Sequence, residues 1–263
     1  MYRNLPPITK NILLINVICY LADLVFQRYG ISFSHIFGLH YPTAIEFQIW
    51  QPLTYMFMHA NLSHLFFNMF AVLMFAPALE ERWGGKRFLI YYLVTGLGAA
   101  VVQEVVWALQ LQPLLSALDP TMASVIANKV VTIGASGAVF GVLLAFGWLF
   151  PEVRMFILFI PVPIRARTLV IIYAVIELFA GLAPSAGDNV AHFAHLGGMI
   201  FGWLLILWWR YRGYDGFDST PWNDSHLLRW LKEQWRKVFP NRHSRIKREK
   251  DNDYRDYHYH EPL

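Results

Sequence analysis

The chain of 263 residues is 56% hydrophobic and 16% aromatic but only 15% charged. That balance excludes an ordinary soluble domain and points to a multi-span membrane protein. The formal charge of +4 gives no reason to expect a nucleic-acid partner, and the single cysteine, Cys19, excludes an internal disulfide.

The opening "MYRNLPPITKNILLINV" has the basic start and apolar core of a signal peptide, yet no small-x-small site follows and the run continues past Asp23. It reads as a retained first span. Without the Arg- and Ser-rich character of an organelle transit peptide, it points to a bacterial inner membrane. Six spans are readable, at about 11–28, 63–80, 88–111, 136–150, 167–183 and 193–209. Basic residues alternate between their connections: Arg3 and Lys10 lead in, Arg82, Lys86 and Arg87 fill the second turn, and Arg154, Arg165 and Arg167 the fourth. Twelve Lys and Arg follow from Arg210 onward, whereas the intervening loops offer only Arg28 and Lys129. By the positive-inside rule both termini are cytoplasmic. The expected organisation is a cytoplasmic N-terminus over 1–10, an all-α, six-transmembrane-helix bundle over 11–210, and a polar, basic cytoplasmic tail over 211–263, partly disordered.

The first loop, about 29–62, is long and rich in aromatics, which suits an interfacial position. "RMFILFIPVPIRAR", broken by Pro161 and Pro163, reads as an interfacial segment before span five. The absence of internal repeats weakens a transporter reading.

Depth along the spans is the next clue. Ser136 stands fifteen residues before Pro151 and His195 fifteen before Arg210, each about 22 Å along a helix. His64 is sixteen residues before Glu80, about 24 Å. Asn68 lies one turn from His64 on the same helix face. A serine, a histidine and a His/Asn pair from three spans thus share one depth, roughly 8 Å inside a hydrocarbon core of about 30 Å. Ionisable groups at that depth are a functional hypothesis by default. Asp23, Glu104 and Glu177 are intramembrane carboxylates too, able to orient a histidine, hydrogen-bond another helix or relay protons.

Histidine is the usual base for a serine nucleophile near neutral pH. Ser136 with His195 would supply a dyad. The Ser136 N–H, Asn68 and His64 would supply oxyanion donors. Gly134 and Gly137 permit a tight approach, and Gly137/Gly141 and Gly198/Gly202 are small-xxx-small pairs for packing spans four and six. Gly-Ala-Ser-Gly in an apolar span is also an ordinary packing motif, and a lone membrane histidine an ordinary interhelical contact. His59, His64, His192 and His195 form a set able to bind metal, but no carboxylate or cysteine accompanies them at ligand spacing in sequence. No metal or other cofactor is expected.

Taken together, "GASGAVFG" (134–141), "HANLSHLFFN" (59–68), "AHLGGMIFG" (194–202), "WQPLT" (50–54) and "EERWG" (80–84) resemble the motifs of the rhomboid intramembrane serine proteases, in the family's order. The resemblance covers about residues 45–210. It implies a six-span bundle that cleaves single-span or multi-span membrane proteins near the outer face of the bilayer. It implies Ser136 as nucleophile, His195 rather than His192 as base, and His64 and Asn68 as oxyanion donors. His59 would be structural, tying the first loop to span two, and no acidic third member would be needed. A rhomboid-like binder of membrane helices without catalysis is the alternative. Two departures stand out. Gln51 occupies the place of the family's common arginine, so altered loop anchoring is expected, and Phe140 stands where some members carry a tyrosine packed on the base. The loop 181–190, rich in small residues, reads as a moving cap. Oligomeric state is not legible.

Overall fold

A computed structural model of the chain describes residues 5–157, 160–183 and 190–213. The tail expected over 211–263 and the cap expected over 181–190 therefore lie largely outside the described residues.

Helix α1 (Pro7–Gln27) begins with proline in its first turn, where no N–H is needed. The N–H groups of Ile8 and Thr9 donate to the Glu80 carboxylate at 2.9 and 2.7 Å, and the Thr9 hydroxyl at 2.8 Å. Glu80, the first residue of "EERWG", is thus a cap supplied by another helix, its charge facing a positive helix end. Near the other end of α1, Asp23 accepts from Phe33 N–H at 2.8 Å and from the Ser34 hydroxyl at 2.6 Å. It starts the short helix α2 (Phe33–Phe37) and ties the first loop to span one.

That loop continues through strand β1 (Leu39–His40), helix α3 (Gln51–Thr54) and a 3₁₀ turn, Tyr55–Phe57. Gln51 anchors this loop through its side-chain amide. Its buried Oε1 accepts from His40 and Gln48 N–H groups at 3.3 and 3.1 Å, while Nε2 donates to Ile36 and Glu46 carbonyls at 3.3 and 2.8 Å. One neutral amide offers donor and acceptor from a single point, which an arginine, a donor only, does not.

Helix α4 (Leu62–Trp83) is capped by Asn61, whose Oδ1 accepts from His64 N–H at 2.8 Å, and closes at Gly84, φ 79°. Helix α5 (Gly85–Ser116) has 32 residues, roughly 48 Å, longer than the span expected at 88–111. Helix α6 (Pro120–Lys129), capped by Asp119, is an element the hydropathy reading lacked. Strand β2 (Val131–Thr132) pairs antiparallel with β1, His40 opposite Val131.

Helix α7 (Ser136–Leu149) is apolar on every side and buries ten of its 14 residues. Such a helix belongs at the centre of a bundle, and α4 and α5 pack against it. The expected interfacial segment is a hairpin of β3 (Arg154–Ile157) and β4 (Ile160–Arg165), bulged at Phe156/Ile157. Helices α8 (Ala166–Leu182) and α9 (His192–Tyr211) complete the bundle around α7. Leu143, Leu169, Val170 and Met199 form a core between these last three helices.

Every expected span coincides with a helix. Four of them, α1, α4, α5 and α9, are long and apolar enough to cross a membrane, and α7 is apolar but shorter. The chain is a mostly helical, multi-pass membrane protein.

Candidate active site

The turn before α7 sets the serine's position. Gly134 N–H donates to the Tyr55 carbonyl at 3.0 Å, and the β1/β2 pair holds the preceding residues. Gly134 has φ 132°, a conformation L side chains avoid. A Cβ there would also stand 2.7 Å from His64 Cε1 and 2.8 Å from Nε2. Glycine therefore lets the His64 ring lie against the backbone beside Ser136. Ser136 is the first residue of α7, where helix N–H groups have no intrahelical acceptor.

Of the two glycine pairs expected to pack spans four and six together, Gly137 and Gly198 meet across α7 and α9, whereas Gly141 and Gly202 face α5. A Cβ at Gly198 would run into the Gly137 carbonyl, one at Gly137 into Ala99, one at Gly141 into Thr95 and one at Gly202 into Tyr91. Backbone-to-backbone approach of α7 and α9 brings His195 within reach of the serine. The two groups meet: Ser136 Oγ and His195 Nε2 are 2.8 Å apart. Phe140, one turn along α7, stacks on the His195 ring with centroids 4.3 Å apart and planes 9° from parallel. The aromatic face is thus kept without a hydroxyl.

His64 and Asn68 share one face of α4, with Asn68 buried and its Nδ2 donating to the His64 carbonyl at 3.0 Å. An amide nitrogen has two protons, so a second remains for another acceptor. His59 is buried at 2% exposure, its ring edge-on to His64 at 5.0 Å. Burial, with the His64 charge adding to it, lowers the His59 pKa to about 3. A buried ring so placed packs against His64.

Two residues left outside the dyad belong to the cluster. Glu177 Oε2 accepts from His195 Nδ1 at 2.8 Å and from His192 Nδ1 at 2.7 Å. No carboxylate stands near the histidines at ligand spacing in the sequence, but Glu177, an intramembrane carboxylate able to orient a histidine, reaches from α8 across to the first turn of α9. Glu177, His192 and His195 offer ligand atoms within 4.8 Å of one another, the arrangement among the described residues able to hold a metal ion. The same atoms are already engaged in the two hydrogen bonds. Of the other carboxylates, Asp23 anchors the first loop. Glu104 keeps both oxygens buried without a hydrogen-bond partner among the described residues, and nothing connects it to Ser136.

The residues of this cluster lie within a region that is similar to known proteins. The family model described as the Rhomboid domain matches residues 46–212. Rhomboid-like protein 11, chloroplastic, of Arabidopsis thaliana is 30% identical over 208 residues, covering 74% of this chain and 62% of that protein. Putative rhomboid protease YdcA of Bacillus subtilis (strain 168) is 31% identical, covering 59% of this chain and 65% of its own. Rhomboid-like protease 3 of Toxoplasma gondii is 27% identical, over 64% and 55%. The chain spans 62%, 50% and 48% of the length of three of its Arabidopsis relatives.

Proposed function

The chain belongs to the rhomboid family, and on that premise we propose that it is a serine endopeptidase acting within the membrane on single-span or multi-span membrane proteins. The observation that carries the reading is the 2.8 Å contact between Ser136 Oγ and His195 Nε2, at the mouth of a helix whose first N–H groups have no intrahelical acceptor. The six helices that match the expected spans cross a bacterial inner membrane with both termini cytoplasmic, which puts the site near the outer face.

The chemistry follows from the placement. His195 Nε2 takes the Ser136 proton while Oγ forms a bond to the substrate carbonyl carbon. The oxyanion is held by Ser136 N–H, His64 and Asn68, donors fixed before the charge develops. His195 then gives its proton to the leaving amine as the C–N bond breaks. Water, activated by the same imidazole, hydrolyses the acyl-enzyme and restores Ser136. A substrate segment must unwind to expose its carbonyl, so small or helix-breaking residues near the outer boundary favour cleavage.

The test is labelling of the purified protein by a fluorophosphonate, comparing wild type with Ser136→Ala and His195→Ala. Labelling lost in both variants is the expected result. Labelling that persists in Ser136→Ala overturns the assignment. A folded wild type that never labels favours a binder of membrane helices instead.

A further inference from the structure

We infer that Glu177 is a positioning residue that completes a serine–histidine–carboxylate chain, an inference that rests on the proposed roles of Ser136 and His195. A carboxylate can only accept hydrogen bonds. Glu177 Oε2 lies 2.8 Å from His195 Nδ1 and 2.7 Å from His192 Nδ1, so both Nδ1 atoms carry protons. For a neutral His195 that leaves the lone pair on Nε2, the atom facing Ser136 Oγ at 2.8 Å. The order Oγ–H to Nε2 and Nδ1–H to Oε2 is the one general-base catalysis needs. Once the proton has moved to Nε2, the same carboxylate faces the imidazolium.

The surroundings bear on how strongly the contact acts. Glu177 and His195 are each 8% exposed, and a charged hydrogen bond is stronger where water is scarce. The Phe140 stack fixes the plane of the His195 ring, and Glu177 fixes its rotation within that plane. His192 matters to the carboxylate rather than to the serine. It supplies a second donor to Oε2, so the oxygen facing His195 is itself held from α9, the helix that carries the base.

The experiment measures the fluorophosphonate labelling rate at saturating reagent for Glu177→Gln and Glu177→Asp. Glutamine keeps the shape but not the charge, and its oxygen cannot require Nδ1 protons of both histidines. The expected loss is about tenfold or more, against the 10⁴-fold seen when a buried triad carboxylate is made an amide. The reagent concentration for half-maximal rate and the thermal midpoint should stay unchanged. A residue that acts by orienting the imidazole changes the rate at saturation and leaves reagent binding alone. Glu177→Asp, which keeps the charge on a shorter arm, should recover part of the rate, and it carries the same comparison if Glu177→Gln does not fold.

A Glu177→Gln rate within twofold of wild type, with the Ser136 and His195 controls inactive, overturns the inference and leaves the dyad standing. A loss that appears in the half-maximal reagent concentration or the thermal midpoint instead of the saturated rate overturns it too. A wild-type rate that EDTA or added zinc changes as much as Glu177→Gln does would mean that the three atoms hold a metal. Failure of wild type to label, or labelling without Ser136, defeats the underlying reading and this inference with it.

Discussion

Gly198→Ala tests whether close approach of α7 and α9 is what assembles the dyad. The added methyl would overlap the Gly137 carbonyl oxygen and lie 2.7 Å from the carbonyl carbon. Carbon atoms rest about 3.5 Å apart, so the helices must separate by roughly 0.8 Å, and the oxygen demands more. Both sides of the clash are backbone, so no side-chain rotation relieves it. Overpacking of this kind costs about 1–3 kcal/mol, which lowers a domain's thermal midpoint by roughly 3–10 °C. Gly137 adjoins Ser136 and Gly198 is one turn beyond His195, so the separation appears directly at the reacting atoms. The contact at 2.8 Å opens to roughly 3.6 Å, no longer a hydrogen bond, and a misplacement near 1 Å is worth about 10²-fold in rate. The assay is fluorophosphonate labelling in detergent micelles beside thermal unfolding, with Leu204→Ala, on an exposed face of α9, as control. A Gly198→Ala protein that labels within twofold of wild type would refute the reasoning.

Other changes separate the remaining contributions. Gly134→Ala places a methyl against the His64 ring at φ 132°; the backbone strain alone costs about 1–3 kcal/mol, and labelling should fall at least tenfold. Phe140→Ala removes a ring stack worth about 0.5–1.5 kcal/mol, so the labelling rate should fall roughly three- to tenfold, while Phe140→Tyr should stay within twofold. Gln51→Ala strips two N–H groups and two carbonyls of their shared partner; at about 1–3 kcal/mol for each buried group left unpaired, a clear drop in thermal midpoint is expected, and an unchanged one would show that the loop re-pairs. His59 has its pKa lowered to about 3 from an unfolded value near 6.5. The unfolded state therefore binds the extra proton, and stability falls as pH drops from 6.5 towards 3, by up to about 1.4 kcal/mol per pH unit. His59→Phe should flatten that slope in pH-dependent unfolding.

Hydropathy located α1, α4, α5, α7, α8 and α9 because each carries a continuous apolar run, whatever it packs against. It missed α6, whose face is only half apolar, although Asp119 followed by Pro120 is a cap and a first-turn proline in the right order. The β3/β4 hairpin was hidden by Pro161 and Pro163, which argue against a strand interior but are tolerated at a two-stranded edge. Glu80 was visible within a motif, yet its role was not, because the N–H groups it caps are more than seventy residues away.

Spacing from charged residues at one end of their helices puts Ser136, His195, His64 and Asn68 at one depth, and the structure brings Ser136 and His195 into contact. The same reckoning misplaced Glu177. Counted from Arg167 it lies ten residues up, about 15 Å, against about 22 Å for His195 from Arg210. That apparent gap of about 7 Å separated two residues that are hydrogen-bonded. Long basic side chains reach the interface from several ångströms away, so Arg167 and Arg210 are loose depth marks and helix tilt loosens them further. What depth counting lacks, electrostatics supplies. A carboxylate in so apolar a setting is costly unless donors meet it. Among the described residues the two imidazole N–H groups at the start of α9 are the donors that reach Oε2. The pairing of Glu177 with His192 and His195 thus follows from the need to satisfy that charge, a requirement written in the sequence by three residues that no helical period connects.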